Sequence, residues 1–141
     1  MAGGFQLREN QLAEMTFEHR PATTRFDAGD EVLSLRSEVE MVLGEGPRQD
    51  ELPRLAFDVV VRPVEGGEPV TMSCDATPGA PSFTKARRND EEVDVATWRR
   101  PLEDCPLALT PGPYELTVTP RWVHRGRDGD VLVGCELVVS D

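Results

Sequence analysis

The sequence predicts an all-β domain, an antiparallel sandwich or flattened barrel of about seven strands formed by residues 1–141 as a single unit. Three patterns carry that expectation. Gly66-Gly67 lies between two runs, 54–64 and 69–77, whose apolar residues meet if the glycines are the turn. Pro63 then faces Val70, Val61 faces Met72, Val59 faces Cys74 and Phe57 faces Ala76. Asp128-Gly129 does the same for 114–125 and 130–139: Trp122 faces Cys135, Pro120 faces Leu137 and Val118 faces Val139, with Arg121 opposite Glu136 on the other side. Both dipeptides suit a two-residue hairpin, because Gly accepts positive φ without a Cβ clash. A slip of one residue would turn every one of these side chains to the wrong face. The third pattern is residues 32–43, where Leu33, Leu35, Val39, Met41 and Leu43 alternate with Ser34, Arg36, Glu38 and Glu40. That is the period of a half-buried strand.

The remaining segments follow in order. Residues 5–19 hold Phe5, Leu7, Leu12, Met15 and Phe17 without a helical stripe, so two short extended pieces are expected at 5–9 and 12–19. Arg20-Pro21 opens a loop to Asp30, and 44–53 is a polar loop of turn formers. Thr77-Pro78-Gly79-Ala80-Pro81 stops the first hairpin, and the charged stretch 82–92 reads as the least structured part of the chain. Val93, Val95 and Thr97 suggest a short strand ending near Trp98. Prolines 101, 106, 111 and 113 forbid a regular central strand or a long helix between 99 and 113.

Composition narrows the function classes. The chain has 26 acidic and 15 basic residues, a net charge of −11. Such a surface repels phosphates and anionic lipids, so neither nucleic acid nor a membrane is an expected partner. Nothing at the N-terminus resembles a signal peptide, and the expected location is the cytoplasm or an assembled particle. Three cysteines, an odd number, argue against a disulfide framework. Cys74 and Cys135 fall on apolar strand faces and read as small core residues.

No motif points to catalysis. Gly44-Glu45-Gly46 and Gly66-Gly67 lack the Lys-Ser/Thr and the helix of a phosphate loop. Gly-x-Ser-x-Gly is absent, and His19 and His124 have no nucleophile at a diagnostic spacing. Cysteines and histidines lack metal-ligand spacing. Asp27 with Asp30, and Asp128 with Asp130, are the acidic pairs to weigh for calcium, but neither supplies the spaced oxygens of a calcium loop. No enzyme activity, cofactor or metal is therefore expected. The candidate contact residues are Phe83, Arg87, Arg88, Trp98, Arg99 and Arg100, an aromatic and arginine composition that interface hot spots favour. The alternative for Trp98 is a core residue.

Phe5-Gln6-Leu7, Met15-Thr16-Phe17-Glu18, Pro21, Phe26, the strand Phe57-Asp58-Val59-Val60-Val61-Arg62, its partner Val70-Thr71-Met72-Ser73-Cys74, then Gly79 and Phe83, form a series similar in content and spacing to the SecB family of export chaperones. The resemblance covers about residues 5–83. It implies an acidic, cytosolic, homo-oligomeric chaperone that holds unfolded chains on apolar grooves. From residue 99 onward the chain departs: that family continues with helices, and this sequence is proline-rich and then strand-like. The leading expectation is a non-catalytic interaction or assembly module, such as an accessory subunit of a virion or secretion apparatus, associating with a protein partner or with itself. A SecB-like chaperone is the alternative.

Overall fold

A computed structural model describes residues 11–44, 52–126 and 129–141. The expected extended piece at 5–9, most of the loop 44–53, and Asp128 lie outside them. The described residues form nine strands and no helix. They are β1 (Gln11–Phe17), β2 (Ala22–Ala28), β3 (Ser34–Leu43), β4 (Arg54–Pro63), β5 (Val70–Asp75), β6 (Ser82–Arg88), β7 (Glu91–Pro101), β8 (Gly112–His124) and β9 (Val131–Ser140). Two antiparallel sheets result, one in the order β1-β9-β3-β7-β6 and the other β2-β8-β4-β5. They stack as an open sandwich rather than a closed barrel.

The core is the apolar alternation of both sheets turned inward. Leu35, Val39, Met41, Ala96, Trp98, Leu137 and Val139 come from the five-stranded sheet. Leu55, Phe57, Val59, Val61, Leu116 and Val118 come from the other. Burial of each large aliphatic or aromatic side chain contributes about 1.5–3 kcal/mol. Phe17 meets Phe57 edge to face at 5.5 Å between ring centroids, and Phe26 stacks on Tyr114 at 5.9 Å. The Tyr114 hydroxyl donates to the Thr110 carbonyl at 2.7 Å, so its polar end is satisfied at the core's rim. Thr77 continues the β4–β5 ladder past Asp75. Its hydroxyl oxygen accepts from the Leu55 N–H at 3.1 Å, and its own N–H donates to Asp75 Oδ1 at 2.9 Å. Pro78 then ends the pairing, since it has no N–H to offer.

The first hairpin exists, with its register two residues from the expected one. Phe57 faces Cys74, Val59 faces Met72 and Val61 faces Val70. A tight turn closes with Gly66 N–H donating to Pro63 O at 3.3 Å, and Gly66 and Gly67 take positive φ of 98° and 130°. The connection then runs on to Val70, longer than two residues. Because the side-chain period is two, an even slip keeps every face, and the expected burial survives the wrong pairing. Val59, Val61, Cys74, Val118, Cys135 and Leu137 are buried, while Met72 and Trp122 are half-buried.

The second hairpin is a correction. β8 and β9 belong to opposite sheets: β8 pairs with β2 and β4, and β9 pairs with β1 and β3. The segment carrying Gly129 crosses between sheets. Trp122 therefore does not pair with Cys135. Arg121 lies opposite Ala56 and binds Asp58 on its own sheet, Nε to Oδ2 at 3.0 Å, rather than Glu136. That guanidinium is the main reason the Asp58 carboxyl sits below its ordinary range. Two further segments are strands rather than loops: β2 within 20–30, and β6 within 82–92.

Cys74 and Cys105 form a disulfide, which overturns both the expectation of no disulfide and the reading of Cys74 as a plain core thiol. It ties β5 to the proline-rich segment after β7. That segment also docks by backbone bonds, Leu102 N–H to Leu35 O at 2.8 Å and Leu33 N–H to Leu107 O at 3.1 Å. Cys135 is the free cysteine, buried, with its thiol pushed up to about 12 by desolvation first and the charge of Glu18 second. Denatured, unreduced protein should show one titratable thiol and reduced protein three; three without reductant would exclude the bridge. With a sequence separation of 31, Cys105→Ala should cost about 3–4 kcal/mol in denaturant unfolding.

Candidate protein-contact surface

The stretch expected to be unstructured is a hairpin. Asn89 and Asp90 form its two-residue turn, both with positive φ (53° and 63°), which is the type I′ geometry that Asn and Asp tolerate. The flanking side chains are complementary in charge: Arg88 stands opposite Glu91, Arg87 opposite Glu92 and Lys85 opposite Asp94. Lys85 Nζ binds Asp94 Oδ1 at 3.0 Å and Glu92 Oε1 at 3.6 Å. Arg87 donates to the Asp90 carbonyl at 3.0 Å and so latches the turn.

This hairpin lies at the end of the five-stranded sheet. Among the described residues β6 pairs with β7 alone, and all seven of its residues are exposed. Its strand therefore overhangs the core with both faces open to solvent. Phe83 stands opposite the buried Ala96, on the inward side of the sheet, yet remains 58 % exposed.

The six candidate residues separate into three groups. Phe83, Arg87 and Arg88 lie together on β6 and are exposed. Arg99 and Arg100 are exposed on β7, beyond the end of β6. Arg99 Nη2 binds Glu38 Oε1 at 2.8 Å, and Arg100 donates to the Ala80 carbonyl at 3.2 Å, bracing the loop between β5 and β6. Trp98 is 2 % exposed, packed in the core, with its indole N–H donating to Gly79 O at 3.4 Å. It presents nothing to a partner, which corrects its place in the surface set. The reason lies in strand parity: Trp98 shares the inward side with Ala96, and Arg99 points the other way.

A second charged feature was missed from sequence. On the outer face of the same sheet, Glu136 faces Glu38 on β3, with Arg99 on the far side of Glu38 and Glu14 nearby on β1. Glu136 is raised above the ordinary carboxylate range. Its side-chain hydrogen bond with Glu14 is the largest cause, followed by burial and by the charges of Glu14 and Glu38. Cross-strand register alone brings these carboxylates together, and no motif announces it. Gly134 beside them leaves an open acidic hollow of about 420 Å³, bordered by Thr16, Glu38, Glu40 and Glu136.

At one end of the sandwich His19, Leu55, Trp122, Arg125 and Leu132 border a crevice of about 450 Å³, with the Arg125 guanidinium 5.9 Å from the Trp122 ring centre. It contains no nucleophile paired with a base. Asp130 Oδ1 accepts from Gly44 N–H at 2.7 Å, and Asp27 and Asp30 are exposed. Among the described residues no three His, Cys, Asp or Glu side chains gather as a metal site.

Trp98→Ala should lower stability by about 3–5 kcal/mol, as for a core aromatic, and leave partner affinity per folded molecule unchanged. Thermal unfolding and a binding titration on the same variant check both. For Glu136 the sign runs against ionisation. Its proton is held more tightly folded than unfolded, so stability is greatest below the unfolded pKa and falls as pH rises through the folded one. Glu136→Gln should therefore melt higher than the native protein at pH 7. The gap should close as pH falls below about 4.

No family model, curated protein or solved structure matches this chain.

Proposed function

We propose that this chain is a non-catalytic β-sandwich that works through contacts with other protein chains, as an assembly module or accessory subunit of a larger particle. One observation carries the reading: an ordered hairpin overhangs the core and exposes a strand on both faces, with an aromatic ring at its base. Ordering a residue costs about 1–2 kcal/mol of backbone entropy. β6 recovers little of that by burial, since all seven of its residues are exposed. A strand held out in this way resembles an interface awaiting its other half. Phe83 supplies an apolar anchor and the arginines a polar rim, the distribution found where proteins meet.

The test is association measured on paired proteins. Sedimentation of the purified chain and reciprocal capture with its partner should show a complex, and Phe83→Ser should weaken it at least about tenfold, or 1.4 kcal/mol, without lowering the melting temperature. A protein that stays monomeric at high concentration and captures nothing from its own source would refute the proposal.

A further inference from the structure

We infer that the free edge of β6 accepts an acidic, extended segment of another protein, adding it to the five-stranded sheet as its sixth strand. The inference rests on the interaction reading above and names its site and the chemistry of its partner.

The backbone comes first. In a type I′ hairpin the residues flanking the turn, here Arg88 and Glu91, exchange their backbone hydrogen bonds. Alternation then directs Ser82, Thr84, Ala86 and Arg88 toward β7. The N–H and C=O groups of Phe83, Lys85 and Arg87 point the other way, to the open edge. β6 is the last strand of its sheet, so those groups form a ready ladder.

The charges select the occupant. β6 carries Lys85, Arg87 and Arg88 and no acidic residue, in a chain whose net charge is −11. A second copy of β6 would set these cations against one another, which opposes self-pairing at this edge. An acidic strand meets them favourably, and the molecule already shows the match. β7 supplies Glu91, Glu92 and Asp94 opposite Arg88, Arg87 and Lys85, and Ala96 opposite Phe83. The partner should therefore be acidic where β7 is acidic and apolar at the position facing Phe83. Repulsion and attraction together give the specificity. Nucleic acid would meet the same cations but would approach through the negative field of the whole chain.

The experiment uses the whole protein, isotopically labelled, and a peptide with the sequence of residues 91–97, Glu-Glu-Val-Asp-Val-Ala-Thr. In the free protein, amide exchange should be fast at Phe83, Lys85 and Arg87 and slower at Thr84 and Ala86. Peptide at millimolar concentration should slow the first three, and a peptide with lysine in place of its acidic residues should not. Lys85→Ala removes a charge and keeps the edge N–H; Lys85→Pro removes both, at a position where β7 loses no bond. The proline variant should bind at least about tenfold more weakly than the alanine variant, while both keep the native ladder at Thr84 and Ala86. Equal affinities for the two variants would overturn strand addition. So would peptide-induced changes confined to other surfaces, or a single-stranded oligonucleotide that protects the same three amides better than the peptide. If the natural complex still forms when the peptide fails, the interaction reading stands and this site does not.

Discussion

The whole molecule depends on one slab of apolar side chains, fed from both sides by period-two alternation. Phe57 and Val59 on β4, Leu116 and Val118 on β8, and Leu35, Val39, Trp98 and Leu137 from the facing sheet are all essentially closed to water. Every strand that contributes to it is fixed in face, because a slip by one would exchange the slab for polar residues. Strands that contribute nothing to it are free of that constraint, and β6 is the extreme case. Stiffness therefore comes from the slab, and surface chemistry is arranged around it. The disulfide and the backbone bonds of Leu102 and Leu107 close the one flank where prolines prevent a regular strand.

Alternation was legible wherever a strand has a complete inner face. It located β3, β4, β5, β8 and β9 and identified most of their buried residues. Pairing was less legible. Two strands facing each other across a sandwich alternate as clearly as two neighbours in a sheet, so the sequence 114–139 imitates a hairpin although β8 and β9 lie in opposite sheets. β2 escaped because only Phe26 and Ala28 of its seven residues are buried. β6 escaped because it has no buried face at all. Its signal lay elsewhere, in opposite charges placed symmetrically about Asn89-Asp90, which a search for hydrophobic periodicity passes over. Trp98 shows the same limit at one residue: Arg99 follows it directly, and strand parity is what puts the two on opposite faces.

Charge is distributed unevenly over the surface. The outer face near β9 gathers the carboxylates of Glu14, Glu38 and Glu136, whereas β6 carries lysine and arginine. Side chains on one sheet thus offer a negative hollow at one end and a positive strand at the other. Such polarity orients an approaching partner before contact.

The order of the strands has a consequence for how the chain reaches this state. β9 lies between β1 and β3. β3 can pair with β7 once residue 101 has been made, but β1 cannot join the sheet until the polypeptide reaches residue 140. Among the described residues, β4 with β5 and β6 with β7 are the consecutive strands that pair with each other. A ribosome-bound chain can assemble these two hairpins early and add β3 to β7, but β1 has to wait for the last strand to bridge it to β3. High contact order of this kind slows folding and leaves apolar strands exposed meanwhile. Nascent molecules are therefore at greatest risk of aggregation just before synthesis of β9, and a truncation that removes it would strip β1 of the one ladder partner it has among the described residues.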